Sequence, residues 1–135
     1  MARQIFVNLP VKDLSASVEF FTKLGYTFNP QFTDETATCM VVSDTIFFML
    51  LTHEKFASFS PKPICDTSEA VEALLCLSCE SREAVNLLVD KAVAAGGSTY
   101  RDPMDMGTMY GHGFRDLDGH VWEIMWMDPN AVMPQ

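Results

Sequence analysis

The sequence predicts an α+β fold built from two consecutive β-α-β-β-β modules. Three observations support this prediction: the order of strand, capped helix and three further strands occurs twice, a proline-containing segment separates the copies, and each helix starts at a capping residue, Asp13 or Ser81. The first module is predicted at residues 1–52 and the second at residues 71–127. A duplicated unit of this size indicates architecture more strongly than any single short motif does.

The first module opens with residues 3–11, RQIFVNLPV, whose alternation and β-forming residues predict a strand. Asp13 is the predicted N-cap of a helix that runs to Leu24, and Gly25 is its expected stop. Three further strands are predicted in YTFNPQF, TATCMVVS and TIFFMLLT, which Asp, Glu and Ser turn residues separate.

Residues 53–70 contain two prolines and no sustained periodicity, so they are expected to form a linker with one short helix. The second module then starts with the strand VEALLCLSC, and Ser81 caps a helix that a Gly-Gly pair ends. Its last three strands are predicted in STYRD, TMYGHGFRD and HVWEIMW, and residues 128–135 form a tail. Together these segments predict a single domain over residues 1–135.

Composition and charge restrict the classes of function. The chain of 135 residues, 48% of them hydrophobic, can bury a real core. Its formal net charge of −9 argues against nucleic acid as a partner, because phosphate contacts need clustered Lys and Arg, and it leaves room for a cationic ligand. No apolar run reaches the length of a membrane span and the first residues lack the features of a signal peptide, so a cytoplasmic protein without membrane contact is expected. The four cysteines lie in apolar or strand-like segments, which favours reduced thiols.

One carboxylate in the stretch RDLDGHVWEIMW is the first candidate for a functional residue. Glu123 lies in the middle of an otherwise apolar strand, where an ionised acid is unfavourable unless something compensates its charge. A tight turn centred on the Asp-Gly pair would place Asp116 opposite Val121, and therefore Phe114 opposite Glu123. His112 then lies diagonally across from Glu123 on the same face, within reach of a contact or a one-water bridge.

Two stretches, VNLPVKDLSASVEFFTKLG and HGFRDLDGHVWEI, resemble the vicinal oxygen chelate superfamily, which includes glyoxalase I, bleomycin-resistance proteins and extradiol dioxygenases. The resemblance extends over nearly the whole chain and is greatest to small bacterial proteins described as predicted lactoylglutathione lyases. It implies a glyoxalase-like fold in which curved mixed sheets surround a cavity, commonly completed in a homodimer. In the metalloenzymes of the superfamily, residues on the first and fourth strands of each module hold a divalent metal.

The metal-ligand positions implied by the resemblance are mostly occupied by residues that cannot bind a metal. The first-strand positions correspond to Phe6 and Leu74, and the fourth-strand position of the first module falls near Phe48. Only Glu123 matches the pattern, whereas a zinc site needs three or four N, S or O ligands and a ferrous triad needs two histidines and a carboxylate. We therefore expect no cofactor and no metal at the usual position, while a divalent metal at Glu123 stays open.

Strand alternation predicts which side chains face the cavity. In the two first strands, Val7, Leu9, Leu75 and Leu77 are expected to face the helices, so their neighbours face the opposite way. The residues expected to contact a small-molecule ligand are Phe6, Asn8, Phe48, Leu74, Cys76, Ser78, Tyr110, Phe114 and Met125.

These residues leave two functions open. One is a divergent lyase or isomerase acting on a small carbonyl or thiol-adduct substrate, with Glu123 as the base and His112 as the acid or orienting partner. The other is a metal-independent binding protein of the bleomycin-resistance type, which sequesters a small molecule. Glu123 could also simply complete a structural network with His112, Asn8 or Tyr110. The missing histidines argue against a dioxygenase.

Overall fold

The computed structural model describes residues 2–131, so the last residues of the predicted tail, 132–135, lie outside the described part. The elements of the first half are β1 (Ile5–Val11), α1 (Leu14–Lys23), β2 (Thr27–Asn29), β3 (Ala37–Val41), β4 (Ile46–Thr52) and α2 (His53–Phe59). Those of the second half are β5 (Leu74–Ser78), α3 (Arg82–Ala94), β6 (Met104–Asp105), β7 (Met109–Arg115) and β8 (Val121–Met127). No helix in residues 2–131 combines the length and apolar character needed to cross a membrane.

Both halves form a four-stranded mixed sheet with the same topology. The strand orders are β1-β4-β3-β2 and β5-β8-β7-β6. In each sheet the first strand runs parallel to the last, and the other neighbours are antiparallel. This confirms the predicted α+β class and the repeated β-α-β-β-β order. The contacts of the chain separate into two compact units between Asp66 and Thr67, inside the predicted linker.

The helix starts follow the capping chemistry expected from the sequence. The Asp13 carboxylate accepts the backbone N–H of Ala16 at 3.0 Å, and the Ser81 hydroxyl oxygen accepts that of Ala84 at the same distance. Both contacts satisfy an N–H group that has no partner within the first turn. A glycine with positive φ, Gly25 or Gly96, follows α1 and α3 and ends each of them.

In the first unit, the sheet face that includes Leu9 and Leu50 supplies the core together with α1. The buried residues on this face of the sheet are Leu9, Val11, Met40, Phe48 and Leu50, and those of α1 and its C-cap are Phe20, Phe21 and Leu24. Each of them is at most 5% exposed. In the second unit, α3 packs on β7 and β8, and the rings of Phe114 and Trp122 lie parallel with centroids 6.3 Å apart. Burial of this apolar surface is the main stabilising contribution in both units.

Two stretches differ from the strands predicted for them. The segment STYRD forms only an isolated bridge between Ser98 and Arg115. Regular pairing resumes at β6, after Pro103, which has no N–H to give to a ladder. In the first unit β2 ends at Asn29, because Pro30–Phe32 forms a short 3-10 helix.

The loop between β7 and β8 contains three residues, and Asp116 and His120 close it. The Asp116 N–H donates to the His120 carbonyl oxygen at 3.1 Å, and Gly119 has a φ of 85°. A left-handed glycine at the end of a three-residue loop is a common way to join antiparallel strands. His120 is 1% exposed, and its Nδ1 lies 2.6 Å from Oε1 of Glu72, so it is a structural residue.

Candidate functional site

The register of the last hairpin decides which side chains accompany Glu123, and it differs from the sequence prediction. Arg115 pairs with Val121 and Gly113 with Glu123. The prediction that Phe114 lies opposite Glu123 is wrong by one residue, because the loop has three residues and the tight turn would have two. A shift of one residue moves every side chain of the partner strand to the other face.

Tyr110, His112 and Phe114 consequently lie on the α3 side of the second sheet, away from Glu123. The Tyr110 hydroxyl donates to Oδ1 of Asn86 on α3 at 2.7 Å, and Phe114 is a core residue with 1% exposure. The predicted contact between His112 and Glu123 is therefore wrong, and so is the predicted placement of Tyr110 and Phe114 on the ligand-facing side.

His112 lies on the α3 side of the second sheet and is partly buried. Its Nδ1 is buried and has no hydrogen-bond partner among residues 2–131. Burial lowers the pKa of His112, and the positive charge of Arg101 lowers it further. The ring is therefore neutral at neutral pH, and it lies on the opposite side of the sheet from Glu123.

We expect the buried neutral state of His112 to make stability fall as the pH decreases. A folded-state pKa below the unfolded value of about 6.5 means that the unfolded chain takes up this proton first. His112 therefore contributes stability above that value, and the contribution is lost as the pH falls below it. Urea denaturation at a series of pH values below about pH 6.5 gives the free energy of unfolding at each pH. This free energy should depend less steeply on pH in His112→Phe than in the wild type. His53→Phe, at an exposed position, is the control, and an unchanged slope for His112→Phe would contradict the prediction.

Glu123 obtains its compensating charge from Arg101, a residue that the sequence analysis does not single out. Nη2 of Arg101 donates to Oε2 of Glu123 at 2.8 Å, and the two side chains are 30% and 28% exposed. A lone carboxylate on an apolar strand needs a nearby positive charge, and the segment STYRD contains an arginine. This need for a positive charge is the signal that could have identified Arg101. The pair lies within the second unit and involves neither His112 nor Tyr110.

Leu74, Cys76 and Ser78 share the face of Glu123, as the sequence predicts. In the parallel pairing of β5 with β8, Cys76 is opposite Glu123 and Ser78 is opposite Met125. Met125 is therefore also on the predicted side. Burial raises the pKa of the Cys76 thiol and the charge of Glu123 raises it further, so this group stays protonated and is a poor nucleophile at neutral pH.

The first unit keeps Phe6 and Asn8 on the predicted side of its sheet but moves Phe48 to the other. Asn8 pairs with Met49, in the same way that Cys76 pairs with Glu123 in the second unit. Met49 is thus the counterpart of Glu123. Phe48 is 3% exposed and belongs to the core, which corrects its predicted role as a ligand contact.

The donor set does not fit the divalent metal that the superfamily resemblance implies. Phe6 and Leu74 offer no ligand atom, Met49 supplies only a weak thioether, and the Glu123 carboxylate is bound to a guanidinium. Within residues 2–131, no three His, Cys, Asp or Glu side chains come together as a potential metal site. Arg101 supplies the positive charge beside Glu123.

An open cleft of about 490 Å³ lies in the first unit, next to α2. It is lined by Asn8, Leu51, Phe56, Phe59, Ser60 and Pro61. Of these residues only Asn8 is a predicted site residue. The spacing of Phe56 and Phe59, three positions apart in a short helix, is the signal that could have identified the others, because it places both rings on one side of α2.

Comparisons with known proteins agree with this architecture. Residues 3–43 match the model of a bleomycin resistance protein-like N-terminal family. No curated protein sequence matches the chain. A hypothetical protein from S. aureus is similar in structure, with 29% identity, a TM-score of 0.78 and coverage of 93% of this chain and 95% of that one.

Two further solved structures share the fold at lower identity. A glyoxalase/bleomycin resistance protein/dioxygenase family enzyme from Burkholderia phytofirmans has 21% identity, a TM-score of 0.77 and coverage of 93% of this chain and 99% of that one. A glyoxalase-related enzyme from Fulvimarina pelagi has 19% identity, a TM-score of 0.76 and coverage of 93% and 88%. The match over residues 3–43 and the shared two-module architecture show that the chain is similar in fold to these glyoxalase/bleomycin resistance proteins.

Proposed function

We propose that the protein binds a small organic ligand in the cleft of the first unit, without a metal at the superfamily's usual position. The cleft of about 490 Å³ is the observation that carries this proposal, since its volume is typical of sites for small organic molecules. The bleomycin-resistance type of function is thereby favoured over a lyase.

The lining of the cleft combines an apolar body with a few polar groups. Leu51, Phe56 and Phe59 offer apolar contact, and Phe59 is 67% exposed, which is unusual for so large an apolar side chain. The Asn8 amide, which donates to the Phe6 carbonyl oxygen at 3.3 Å, retains a second N–H that can orient a ligand. The lining therefore suits a ligand with an aromatic or branched apolar part and one hydrogen-bond acceptor.

The surroundings of Glu123 support binding rather than acid–base catalysis. General acid–base catalysis needs the base and the acid to face the same substrate. Here the Glu123 carboxylate faces Arg101, and His112 lies on the other side of the sheet. We therefore assign neither residue a proton-transfer role in the favoured function.

Phe59→Ala is expected to weaken ligand binding by roughly tenfold or more, because a buried aromatic contact in a binding site contributes about 1–3 kcal/mol. Phe32→Ala is the matched control, since Phe32 is also an exposed phenylalanine of the first unit but does not line the cleft. The measurement is isothermal titration with ligands selected from a small-molecule collection by thermal shift. Equal affinity of both variants would show that the cleft is not the site.

A divergent lyase or isomerase is the second candidate, and one observation favours it. Glu123 is 28% exposed on the face that also carries Cys76 and Ser78, so a substrate can reach its carboxylate. If Glu123 is a base, Glu123→Gln should lower turnover by roughly two to four orders of magnitude while ligand affinity changes little. A hemithioacetal isomerisation assay of wild type and variant distinguishes the two functions.

Metal analysis provides an independent check on the favoured function. We expect the purified protein to carry nickel, zinc and iron only in amounts well below one per chain, because the donor set offers too few ligands. The same preparation, assayed with and without added metal, should show no metal-dependent turnover. One equivalent of bound metal would contradict the proposal.

The homodimer that is common in the superfamily remains our proposal for the assembly, and light scattering at micromolar concentration tests it.

A further inference from the structure

We propose that Tyr100, Arg101 and Arg115 form a second binding site, which takes the carboxylate group of a small organic ligand. These three residues, called the guanidinium corner below, lie in the second unit on the sheet face that carries Glu123. The inference goes beyond the proposed function, because it concerns a site in the other unit and assigns the chemical class of the bound group.

Arg101 is held in place but retains most of its donors. The guanidinium carries five N–H groups, and one of them is given to Glu123 at 2.8 Å. Another points to the Asp102 carbonyl oxygen at 3.5 Å, the limit of a hydrogen bond. Because Glu123 fixes the guanidinium through a single oxygen, an unused edge remains for a second carboxylate. Planar two-point recognition of carboxylates is the interaction that arginine makes best.

A second guanidinium lies beside the same tyrosine ring. The Cζ atoms of Arg101 and Arg115 are each 5.5 Å from the ring centroid of Tyr100. Arg115 is exposed, and its Nη1 donates to the Thr99 carbonyl oxygen at 3.4 Å. Two cations lie around one ring, and Glu123 is hydrogen-bonded to Arg101, so the charges favour an anionic rather than a cationic ligand.

The Tyr100 hydroxyl is a donor without a partner at this place. Its oxygen is buried and its O–H finds no acceptor within residues 2–131, because the nearby Arg101 guanidinium can only donate. The residue opposite Glu123 on β7 is Gly113, and a Cβ there would collide with this hydroxyl and lie 2.9 Å from Cζ of Tyr100. The absence of a side chain at position 113 thus lets the phenol reach the sheet surface beside Glu123. A buried unsatisfied donor lowers stability, so it is expected where a bound group supplies the acceptor.

Burial raises the pKa of Tyr100 and the negative charge of Glu123 raises it further, and together they outweigh the lowering effect of Arg101 and Arg115. The hydroxyl therefore keeps its proton at neutral pH and can donate it to a ligand oxygen. A carboxylate would accept from the free edge of Arg101 through one oxygen and from Tyr100 through the other. Arg115 adds long-range attraction that weakens with salt.

The test is a titration of the ¹⁵N-labelled full chain with benzoate, and with benzamide as its uncharged analogue, followed by amide chemical shifts. Benzoate should produce saturable shifts at Arg101 and Gly113, and benzamide should bind at least about tenfold more weakly. Arg101→Gln should weaken benzoate binding by about tenfold or more, since a charged hydrogen bond is lost. Arg3→Gln is the matched control, as it removes the same charge from an exposed position in the first unit.

The tyrosine variant separates a ligand role from a structural one. Tyr100→Phe should weaken benzoate binding severalfold while leaving the unfolding temperature unchanged or higher, because the free protein loses only an unpaired hydroxyl. A lower unfolding temperature with unchanged affinity would make Tyr100 a structural residue and overturn its assignment.

The site as a whole would be overturned if benzoate caused no shifts at the guanidinium corner, or if Arg101→Gln bound it as tightly as the wild type. Tighter binding of inorganic phosphate than of benzoate would overturn the carboxylate assignment. Phe59→Ala should not alter the benzoate shifts at Arg101 and Gly113, so failure of the cleft and failure of the guanidinium corner are distinguishable.

Discussion

Gly113→Ala is expected to destabilise the protein by about 1–3 kcal/mol, because the added methyl group enters space that is already occupied. Its Cβ would lie 2.8 Å from the carbonyl oxygen of Trp122 and 2.9 Å from Cζ of Tyr100, with the Tyr100 hydroxyl in direct collision. The Trp122 carbonyl belongs to the neighbouring strand and can move only if the β7–β8 ladder is distorted. The tyrosine ring can move only by leaving the two arginines beside it.

Gly111 supplies a matched control on the same strand and the same face. A Cβ at Gly111 would meet only the Ile124 carbonyl oxygen, at 3.6 Å, which is an ordinary contact. Gly111→Ala should therefore change the free energy of unfolding by no more than about 0.5 kcal/mol. Urea denaturation of both variants measures the difference, and adding Tyr100→Ala to Gly113→Ala should recover part of the loss. Equal stability of the two glycine variants would contradict the close approach of Tyr100 to the sheet.

The fold could be predicted from the sequence because its determinants are local. Asp13 and Ser81 each cap a helix within their own turn, and a glycine follows each helix. The alternation in β5 correctly places Cys76 on one face and the neighbouring leucines on the other. Because these features repeat in both halves, they determine the module order without any knowledge of long-range contacts.

The partner of Glu123 could not be predicted, because it depends on the length of one loop. Alternation along β8 alone correctly separates Glu123 from Trp122, but the face of β7 follows from how many residues join the strands. The loop has three residues with Gly119 in the left-handed region, whereas the Asp-Gly pair resembles a two-residue turn. The difference of one residue moved His112 from the side of Glu123 to the helix side.

The other side chains that the sequence prediction missed lie in segments without a regular period. Arg101 follows Tyr100 in a stretch that forms only an isolated bridge, and Phe59 ends the short helix α2 inside the predicted linker. Period-based reasoning assigns no face to Arg101, and the spacing of Phe56 and Phe59 gives both rings a common side of α2 without showing what lies against that side. Their positions follow from tertiary contacts, which a single sequence does not specify.

Asp116→Ala is expected to destabilise the protein by about 3–4 kcal/mol, because three donors would lose their common acceptor at a buried site. Asp116 is 7% exposed. Its Oδ1 accepts the backbone N–H groups of Asp118 and His120 at 2.9 and 3.0 Å, and its Oδ2 accepts the indole N–H of Trp122 at 2.9 Å. Trp122 is 1% exposed, so no water replaces the lost carboxylate there.

The same carboxylate sets the three-residue loop and therefore the register that places Gly113 opposite Glu123. Asp128→Ala is the control, since Oδ1 of Asp128 accepts the exposed backbone N–H of Asn130 at 2.9 Å, and the loss of this bond should cost no more than about 0.5 kcal/mol. Urea denaturation monitored by tryptophan fluorescence measures both variants. If Asp116→Ala were no less stable than Asp128→Ala, the carboxylate would not be what holds the loop. Asp116→Asn keeps one acceptor oxygen and replaces the other with a donor. If Asp116→Asn is more stable than Asp116→Ala, the bonds that Oδ1 accepts from the backbone N–H groups are what fix the loop.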